Sequence, residues 1–214
     1  MGTTMIRLLI VDDHPVVRQG IRQILAEASD IAIADEAVNG ADAMTKCQRA
    51  SWDAVLLDLS MPGSDGLEVL KQLRRAHPAL PILVLSMHPE DQFALRAIRA
   101  GASGYLTKDS APDELVNAIR RVVQGGHYLS PWLSERLARE IASGGATSPH
   151  EQLSDREYQV MLRIASGKTR KEIADELSLS PKTVSTYRLR LSQKMGLAGE
   201  AELTAYVFRN RLLD

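Results

Sequence analysis

The chain of 214 residues has little cysteine and few aromatic side chains. Cys47 is its single cysteine, and aromatic residues make up 4% of the sequence. One thiol excludes an internal disulfide and a thiolate cage around a metal, and such sparing use of cysteine fits a reducing compartment. We therefore expect a cytoplasmic protein whose fold is stabilised by a hydrophobic core.

Long hydrophobic runs are also missing. No apolar stretch reaches the roughly 18 residues that a membrane-spanning helix needs, so we expect no membrane segment. Near the start, Asp12 and Asp13 end an apolar run after six residues, and we expect no secretion signal. Hydrophobic residues at 44% and charged residues at 25% are ordinary globular values, which exclude a disordered or collagen-like chain.

The net charge of −1 hides a difference between two parts of the chain. Residues 1–124 carry 13 basic and 16 acidic residues, whereas residues 125–214 carry 13 and 11. Within the second part, residues 180–195 hold basic residues and no acidic one. These basic residues are Lys182, Arg188, Arg190 and Lys194. A local basic stretch of this kind makes the second part the candidate for binding nucleic acid.

Short apolar runs alternate with amphipathic segments over the first 124 residues. The runs predict five buried strands at residues 6–11, 31–33, 54–59, 82–85 and 104–106, with helical patterns between them. This alternation predicts an α/β fold in which a five-stranded, doubly wound parallel sheet is covered by helices on both faces. We assign this domain to residues 5–124.

The remaining residues predict a linker and a small all-α domain. Residues 125–152 are expected to form a linker with one short helix at 131–141, followed by a polar, glycine-containing stretch. Residues 153–214 predict helices at about 154–165, 170–177, 181–195 and 199–212. Ser154 and Glu157 match a capping box, and Ser180 precedes a proline at the first position of the third helix. The second and third helices have helix-turn-helix proportions.

Polar residues stand at the ends of four predicted strands, and they are Asp12, Asp13, Asp58, Ser86 and Lys108. The carboxyl ends of parallel strands share one edge of the sheet, where such folds bind ligands. Three carboxylates in one place need a cation, and oxygen donors without histidine or cysteine favour Mg²⁺. A carboxylate can also act as a nucleophile on phosphorus, with Lys108 and Ser86 stabilising charge on the phosphoryl oxygens. We assign no ligand role to His14 or Cys47.

These residues, with Met61-Pro62-Gly63 after Asp58 and with Tyr105 three positions before Lys108, resemble the receiver domain of bacterial two-component response regulators. The resemblance implies that Asp58 accepts a phosphoryl group. Mg²⁺ would be held by Asp12, Asp13, Asp58 and the backbone carbonyl of Ser60. Asp109 follows Lys108 where many receivers carry a cis-proline.

The same resemblance implies a switch formed by Ser86 and Tyr105. A phosphoryl group on Asp58 would draw the Ser86 hydroxyl toward it and free space into which Tyr105 turns.

The predicted helix at 181–195 has an outward face that is available to a DNA groove. Val184, Leu191 and Met195 form its core stripe, so Lys182, Thr186 and Leu189 point away from the core. We take the candidate DNA contacts to be Lys182, Thr183, Ser185, Thr186, Tyr187, Arg188 and Arg190. This half resembles the LuxR/FixJ-type helix-turn-helix, although Ser185 stands where many relatives carry lysine. The chain as a whole resembles NarL/FixJ-type transcriptional regulators, close to their GacA/UvrY-like branch.

The expected function is a DNA-binding transcriptional regulator that a sensor histidine kinase phosphorylates and that forms a homodimer on double-stranded promoter DNA. It would catalyse only its own phosphorylation and dephosphorylation. A phosphatase is the alternative enzyme, but Asp58-Leu59-Ser60 lacks the second carboxylate of an Asp-x-Asp site. A constitutive, unphosphorylated DNA binder is a third possibility. In the last helix, a stripe of Leu203, Tyr206, Val207 and Asn210 is either a dimer surface or part of the domain core.

Overall fold

A computed structural model describes residues 5–61, 66–142, 148–177, 179–210 and 212–213. It divides the chain into two compact units, Met1–Gly144 and Gly145–Asp214, each with its own core. In the described ranges, no helix is both long enough and apolar enough to cross a membrane.

The first unit contains a parallel sheet with the strand order β2-β1-β3-β4-β5. The strands are β1 (Ile6–Val11), β2 (Ile31–Ala37), β3 (Ala54–Leu57), β4 (Ile82–Ser86) and β5 (Gly104–Thr107). The helices are α1 (Pro15–Ala26), α2 (Gly40–Arg49), α3 (Gly66–Ala76), α4 (Glu90–Arg99), α5 (Pro112–Val123) and α6 (Pro131–Ala142). All residues of β3 and β4 are buried, as expected for central strands covered on both faces. The predicted α/β fold is confirmed.

Strand β2 is longer than the sequence pattern predicts. The apolar run ends at Ile33, yet the strand continues to Ala37 through Asp35 and Glu36. Because β2 is an edge strand, these carboxylates reach cations on neighbouring helices instead of entering the core. Asp35 pairs with Lys46 at 2.9 Å. Polar residues are common in edge strands, so hydrophobicity alone underestimates the length of β2.

Helix α6 belongs to the first unit, where it packs against α4. Leu133 is fully buried, and Arg99 on α4 forms an ion pair with Glu140 on α6. Just before the helix, the Tyr128 N–H donates to the Ser103 carbonyl at 3.0 Å, which aligns this segment with β5. The domain boundaries at residues 124 and 152 stay predictions, whereas the structure divides the chain at residue 144.

The described residues of the second unit form the four predicted α-helices, the last of them ending at Arg209 instead of residue 212, and a short 3-10 helix that the sequence does not predict. They are the 3-10 helix Pro149–Gln152, α7 (Asp155–Ala165), α8 (Arg170–Glu176), α9 (Pro181–Met195) and α10 (Glu200–Arg209). The capping box of Ser154 and Glu157 is present, and Ser180 caps α9 through the Thr183 N–H at 3.0 Å. Gly196 ends α9 at φ +66°, a left-handed conformation that favours glycine. Ser178, in the predicted turn between α8 and α9, lies outside the described residues.

Candidate functional site

The sheet order places the predicted acidic residues at its topological switch point. Strand β1 lies between β2 and β3, so the connections that leave β1 and β3 go to opposite sides. Asp12 and Asp13 follow β1, and Asp58 follows β3. The crevice at the carboxyl ends of these two strands is where open α/β sheets bind ligands.

Lys108, just after β5, bridges the carboxylates of Asp12 and Asp58. Its Nζ lies 2.7 Å from Asp12 Oδ2 and 2.8 Å from Asp58 Oδ2. The exposed fractions of the three side chains are only 6% for Lys108, 3% for Asp12 and 1% for Asp58. The second carboxylate oxygens accept backbone N–H groups, Asp12 Oδ1 from His14 at 2.8 Å and Asp58 Oδ1 from Ser60 at 3.0 Å. Two buried carboxylates therefore share one ammonium group.

This arrangement shifts the ionisation of Asp58 and Lys108. Burial raises the pKa of Asp58, and the negative charge of Asp12 adds to the rise, while the Lys108 ammonium partly offsets it. For Lys108, burial works to lower the pKa, but its hydrogen bonds to Asp12 and Asp58 and their charges outweigh this effect and raise it. Lys108 therefore stays protonated at neutral pH, and the pocket retains a fixed positive charge beside Asp58.

The pocket is compatible with a metal ion. One ligand atom each from Asp12, Asp13, His14 and Asp58 can be chosen so that all four lie within 4.8 Å of one another. Asp13 Oδ1 is buried and accepts no hydrogen bond from the described residues. A bound cation would offset the loss of hydration at this buried oxygen.

His14, to which the sequence analysis assigns no ligand role, lies beside the acidic residues of the pocket. Its Nδ1 lies 3.0 Å from Asp13 Oδ1 and 3.4 Å from Asp12 Oδ1. The reason is local, because His14 follows both carboxylates in the loop that ends β1. Its side chain is exposed, so the ring stands at the entrance to the pocket.

Ser86 and Tyr105, the predicted switch residues, both contact the backbone of His88. Ser86 Oγ accepts the His88 N–H at 3.2 Å, and the Tyr105 hydroxyl donates to the His88 carbonyl at 2.8 Å. Tyr105 is only 2% exposed. In this structure the ring therefore lies inside, where its buried hydroxyl has an acceptor. The turn of Tyr105 on phosphorylation of Asp58 stays a prediction.

Two residues of this site escape the sequence analysis. His88 Nε2 lies 3.2 Å from Ser60 Oγ, and the His88 ring stacks on Phe93 with centroids 4.3 Å apart. Arg18 on α1 donates from Nη1 to the Asp12 carbonyl at 2.7 Å. The sequence places His88 two residues after Ser86 and Arg18 five residues after Asp13, but neither position predicts these contacts. Pro62 and Gly63 lie outside the described residues, and the described peptide bonds, including Lys108–Asp109, are all trans.

Helix α9 places its predicted DNA-contacting residues as the helical pattern indicates. Val184, Leu191 and Met195 are buried, while Lys182, Thr186 and Arg190 are exposed. The other four candidates, Thr183, Ser185, Tyr187 and Arg188, are partly exposed. One helical face therefore packs inward, and the opposite face is accessible.

Two of the four basic residues in the stretch 180–195 are paired within the unit. Arg188 lies 2.5 Å from Glu200, and Lys194 lies 2.6 Å from Glu157, which is buried. Their acidic partners lie outside the stretch, on α10 and α7, so the local charge pattern does not show them. Lys182 and Arg190 form no ion pair with the rest of the described chain.

The apolar stripe of α10 contributes to the core of its own unit. Leu203 is 3% exposed and Val207 is fully buried. Tyr206 forms a hydrogen bond of 2.8 Å with His150 Nδ1, and Asn210 donates its side-chain amide to the Tyr206 carbonyl. Of the two interpretations of this stripe, the structure supports the intradomain core.

Comparisons with known proteins agree with the division of the chain into two units. Residues 8–120 match the family model described as the response regulator receiver domain, and residues 151–207 match that of the luxR family of bacterial regulatory proteins. The response regulator UvrY of Escherichia coli K12 is 41% identical over 211 residues, which cover 98% of this chain and 97% of the relative. The response regulator GacA of Pseudomonas protegens CHA0 is 39% identical over 98% of this chain and 99% of the relative.

Solved structures give the same result. RcsB from Salmonella enterica serovar Typhimurium, bound to the promoter rprA with the phosphomimetic BeF₃⁻, has a TM-score of 0.60 at 27% identity, covering 95% of this chain and 98% of that one. A LuxR-family response regulator from Aurantimonas sp. SI85-9A1 has a TM-score of 0.59 at 37% identity, covering 65% and 99%. The chain belongs to the two-component response regulators that combine a receiver domain with a LuxR-type helix-turn-helix DNA-binding domain.

Proposed function

We propose that Asp58 accepts a phosphoryl group from a partner sensor histidine kinase and that the acyl phosphate raises the affinity of the second unit for promoter DNA. The observation that carries this proposal is the Lys108 ammonium, held between Asp58 and Asp12 in a buried pocket. A buried cation 2.8 Å from the nucleophile is positioned to stabilise phosphoryl charge. Ser86, at the end of β4, is the neighbouring hydroxyl that would bind a phosphoryl oxygen.

The chemistry is a transfer between two nucleophiles. A carboxylate oxygen of Asp58 forms a bond to phosphorus, and the bond between phosphorus and the imidazole nitrogen of the kinase histidine breaks. Hydrolysis of the acyl phosphate by water later restores Asp58. The chain therefore acts only on its own phosphorylation state and turns over no separate substrate.

Asp12, Asp13, Asp58 and the backbone carbonyl of Ser60 would hold Mg²⁺. Hard oxygen donors, among them the buried Asp13 Oδ1, fit this ion, whereas the imidazole of His14 is not a ligand that Mg²⁺ prefers. When bound, the ion supplies positive charge that offsets the carboxylates and the phosphoryl oxygens.

The partner of the second unit is double-stranded DNA, contacted by α9. Lys182 and Arg190 are exposed cations suited to phosphate groups, and Thr183, Ser185, Thr186 and Tyr187 stand beside them. Arg188 joins only when its ion pair with Glu200 opens. RcsB structures include two RcsB dimers bound to two parallel DNAs, at 26% identity over 95% of this chain and 98% of that one, with a TM-score of 0.58. We infer that this chain also binds DNA as a homodimer when phosphorylated.

The test combines phosphorylation with DNA binding. The wild-type chain, Asp58→Asn and Asp109→Asn are incubated with acetyl phosphate and Mg²⁺, and the phosphorylated fraction is separated on phosphate-affinity gels. Asp109 is the matched control because it is exposed and adjacent to Lys108. We expect a phosphorylated fraction for the wild type and Asp109→Asn and none for Asp58→Asn.

DNA sites are then selected from a random library by each protein with and without acetyl phosphate. We expect acetyl phosphate to tighten binding of the wild type and the control only. Equal labelling of Asp58→Asn would contradict the assignment of the acceptor, and DNA affinity independent of acetyl phosphate would contradict the switch.

A further inference from the structure

An exposed leucine stands in the middle of the accessible face of α9. Leu189 is 61% exposed, although leucine side chains usually lie inside a domain. The sequence analysis places Leu189 on the outward face but gives it no role. Lys182, Thr186 and Leu189 follow the spacing i, i+4 and i+7, so they form one continuous stripe on the helix surface.

The two hydroxyl groups closest to Leu189 along this face already donate within their own helix. The Ser185 hydroxyl donates to the Pro181 carbonyl at 3.0 Å, and the Thr186 hydroxyl donates to the Lys182 carbonyl at 3.1 Å. A hydroxyl that donates to its own helix has no second proton to offer to a base.

The four lysine and arginine side chains of α9 differ in whether they form an ion pair. Arg188 and Lys194 are occupied by Glu200 and Glu157, respectively. Lys182 and Arg190 remain as exposed cations near Leu189 on the same helix. Exposed cations around an apolar centre complement a major groove, where the phosphates lie outside and the base edges lie within.

We propose that Leu189 is a specificity-determining residue that contacts the 5-methyl group of a thymine in the major groove. This inference rests on the proposed DNA binding by α9. Among the four bases, only thymine presents a methyl group in the major groove. A leucine offers no hydrogen bond, so opposite any other base it covers a donor or acceptor and leaves that group without a partner.

The experiment removes the thymine methyl and the leucine separately. Sites are selected from a random DNA library by the phosphorylated full-length chain, and each thymine of the selected site is then replaced in turn by deoxyuridine. Affinities are measured for wild type, Leu189→Ala, Leu189→Met and the control Ile141→Ala. Ile141 is a 79% exposed aliphatic residue of α6, in the first unit.

For the wild type, we expect deoxyuridine at one thymine of each half-site to weaken binding about four-fold, the effect of losing one buried methyl contact. Leu189→Ala should bind the thymine and deoxyuridine sites equally, and its own selected sites should lose the thymine at that position. Leu189→Met and Ile141→Ala should retain the preference. Because Leu189 is exposed, far-UV circular dichroism should show the same helix content in all variants.

Two results would overturn the inference while leaving DNA binding intact. One is a selected site on which deoxyuridine weakens wild type and Leu189→Ala to the same extent. The other is a Leu189→Ala variant that selects the wild-type site unchanged. If the wild type selects no DNA at all, the proposed function fails and this inference fails with it.

Discussion

The Asp58 carboxylate lies in a pocket where burial disfavours its ionised form. A raised pKa means that this group favours folding below the ordinary carboxyl value of 3.8, and that this contribution is lost as pH rises through the higher folded value. At neutral pH the ionised Asp58 therefore destabilises the receiver unit. Asp58→Asn removes the charge while its amide oxygen still accepts the Lys108 hydrogen bond.

We expect Asp58→Asn to raise the melting temperature by a few degrees in magnesium-free buffer at pH 7.5. This shift corresponds to a gain of ~1 kcal/mol in the unfolding free energy of a unit of this size. Differential scanning calorimetry measures the change, with Asp109→Asn as the control that should stay at the wild-type value. Adding Mg²⁺ should stabilise the wild type more than Asp58→Asn, because the variant has lost one hard ligand. A lower melting temperature for Asp58→Asn would show that its charge stabilises the fold.

Cys47 gives a second prediction at the scale of one residue. Burial raises the pKa of its thiol to about 11, so almost no thiolate exists at pH 8. We expect the native chain to react negligibly with a disulfide reagent such as dithionitrobenzoate at pH 8. In denaturant the same chain should react with one equivalent, since Cys47 is the only cysteine. Rapid stoichiometric labelling of the native chain would show that the thiol is accessible.

Sequence alone predicts that Asp12, Asp58 and Lys108 converge, because strand ends in a parallel sheet are fixed by topology. It does not predict His88 or Arg18, whose contacts depend on loop paths and side-chain conformations. The sequence pattern therefore predicts which residues meet at the strand ends, whereas contacts that depend on loop and side-chain packing cannot be predicted from it.

At the scale of elements, the capping box of α7 is tied to α9 through Glu157. Glu157 accepts the Ser154 N–H at 2.8 Å and the Lys194 ammonium at 2.6 Å while it is itself buried. We expect Ser154→Ala to cost about 1 kcal/mol of unfolding free energy in the second unit. Glu157→Ala should cost more, because it removes both the return bond of the cap and the partner of Lys194.

Tryptophan fluorescence and far-UV circular dichroism can distinguish the unfolding of the two units. The two tryptophans, Trp52 and Trp132, both lie in the first unit, so their fluorescence reports its unfolding. Far-UV circular dichroism of the full chain reports the helices of both units. Ser154→Ala and Glu157→Ala should shift the dichroism curve in urea and leave the fluorescence midpoint in place. A shifted fluorescence midpoint would show that the cap also stabilises the first unit.

Helix α9 gives a prediction about salt dependence. Lys182→Ala and Arg190→Ala should each reduce the slope of log affinity against log salt by about 1 if each cation meets one phosphate. Arg188→Ala should leave the slope nearly unchanged, because this guanidinium is held by Glu200. Fluorescence anisotropy of the selected DNA from 50 to 200 mM salt, a range in which such contacts separate clearly, measures the slopes. Equal slopes for all three variants would contradict this division of the cations.

For the whole molecule, the order of elements could be predicted and the attachment of the linker helix could not. Strand and helix order follow from alternating hydrophobic patterns, and the helix-turn-helix follows from spacing and caps. The position of α6 on α4 depends on Leu133 and on the ion pair between Arg99 and Glu140. Nothing in the local sequence of α6 names α4 as its partner, because an amphipathic helix packs against any apolar surface that the fold offers.

The final prediction joins the phosphoryl-acceptor pocket to DNA binding. Ser86 Oγ accepts the His88 N–H, and the Tyr105 hydroxyl donates to the His88 carbonyl. A Ser86 hydroxyl that is drawn toward a phosphoryl group would therefore change the contacts of the loop at His88, whose carbonyl binds the Tyr105 hydroxyl. Ser86→Ala should still be phosphorylated on Asp58, because the hydroxyl is not the nucleophile. The phosphorylation-dependent gain in DNA affinity should fall about five-fold, the effect of one hydrogen bond worth about 1 kcal/mol.

The matched control is Ser103→Ala, another buried serine of the same unit, whose hydroxyl accepts the Ile82 N–H at the opposite end of β4. Phosphate-affinity gels give the phosphorylated fraction of each variant, and anisotropy with and without acetyl phosphate gives the gain in affinity. Ser103→Ala should retain the full gain even where its stability falls. A full gain in Ser86→Ala at equal phosphorylation would place the coupling elsewhere in the receiver, because the loop around His88 would then respond to phosphate without its contact to Ser86.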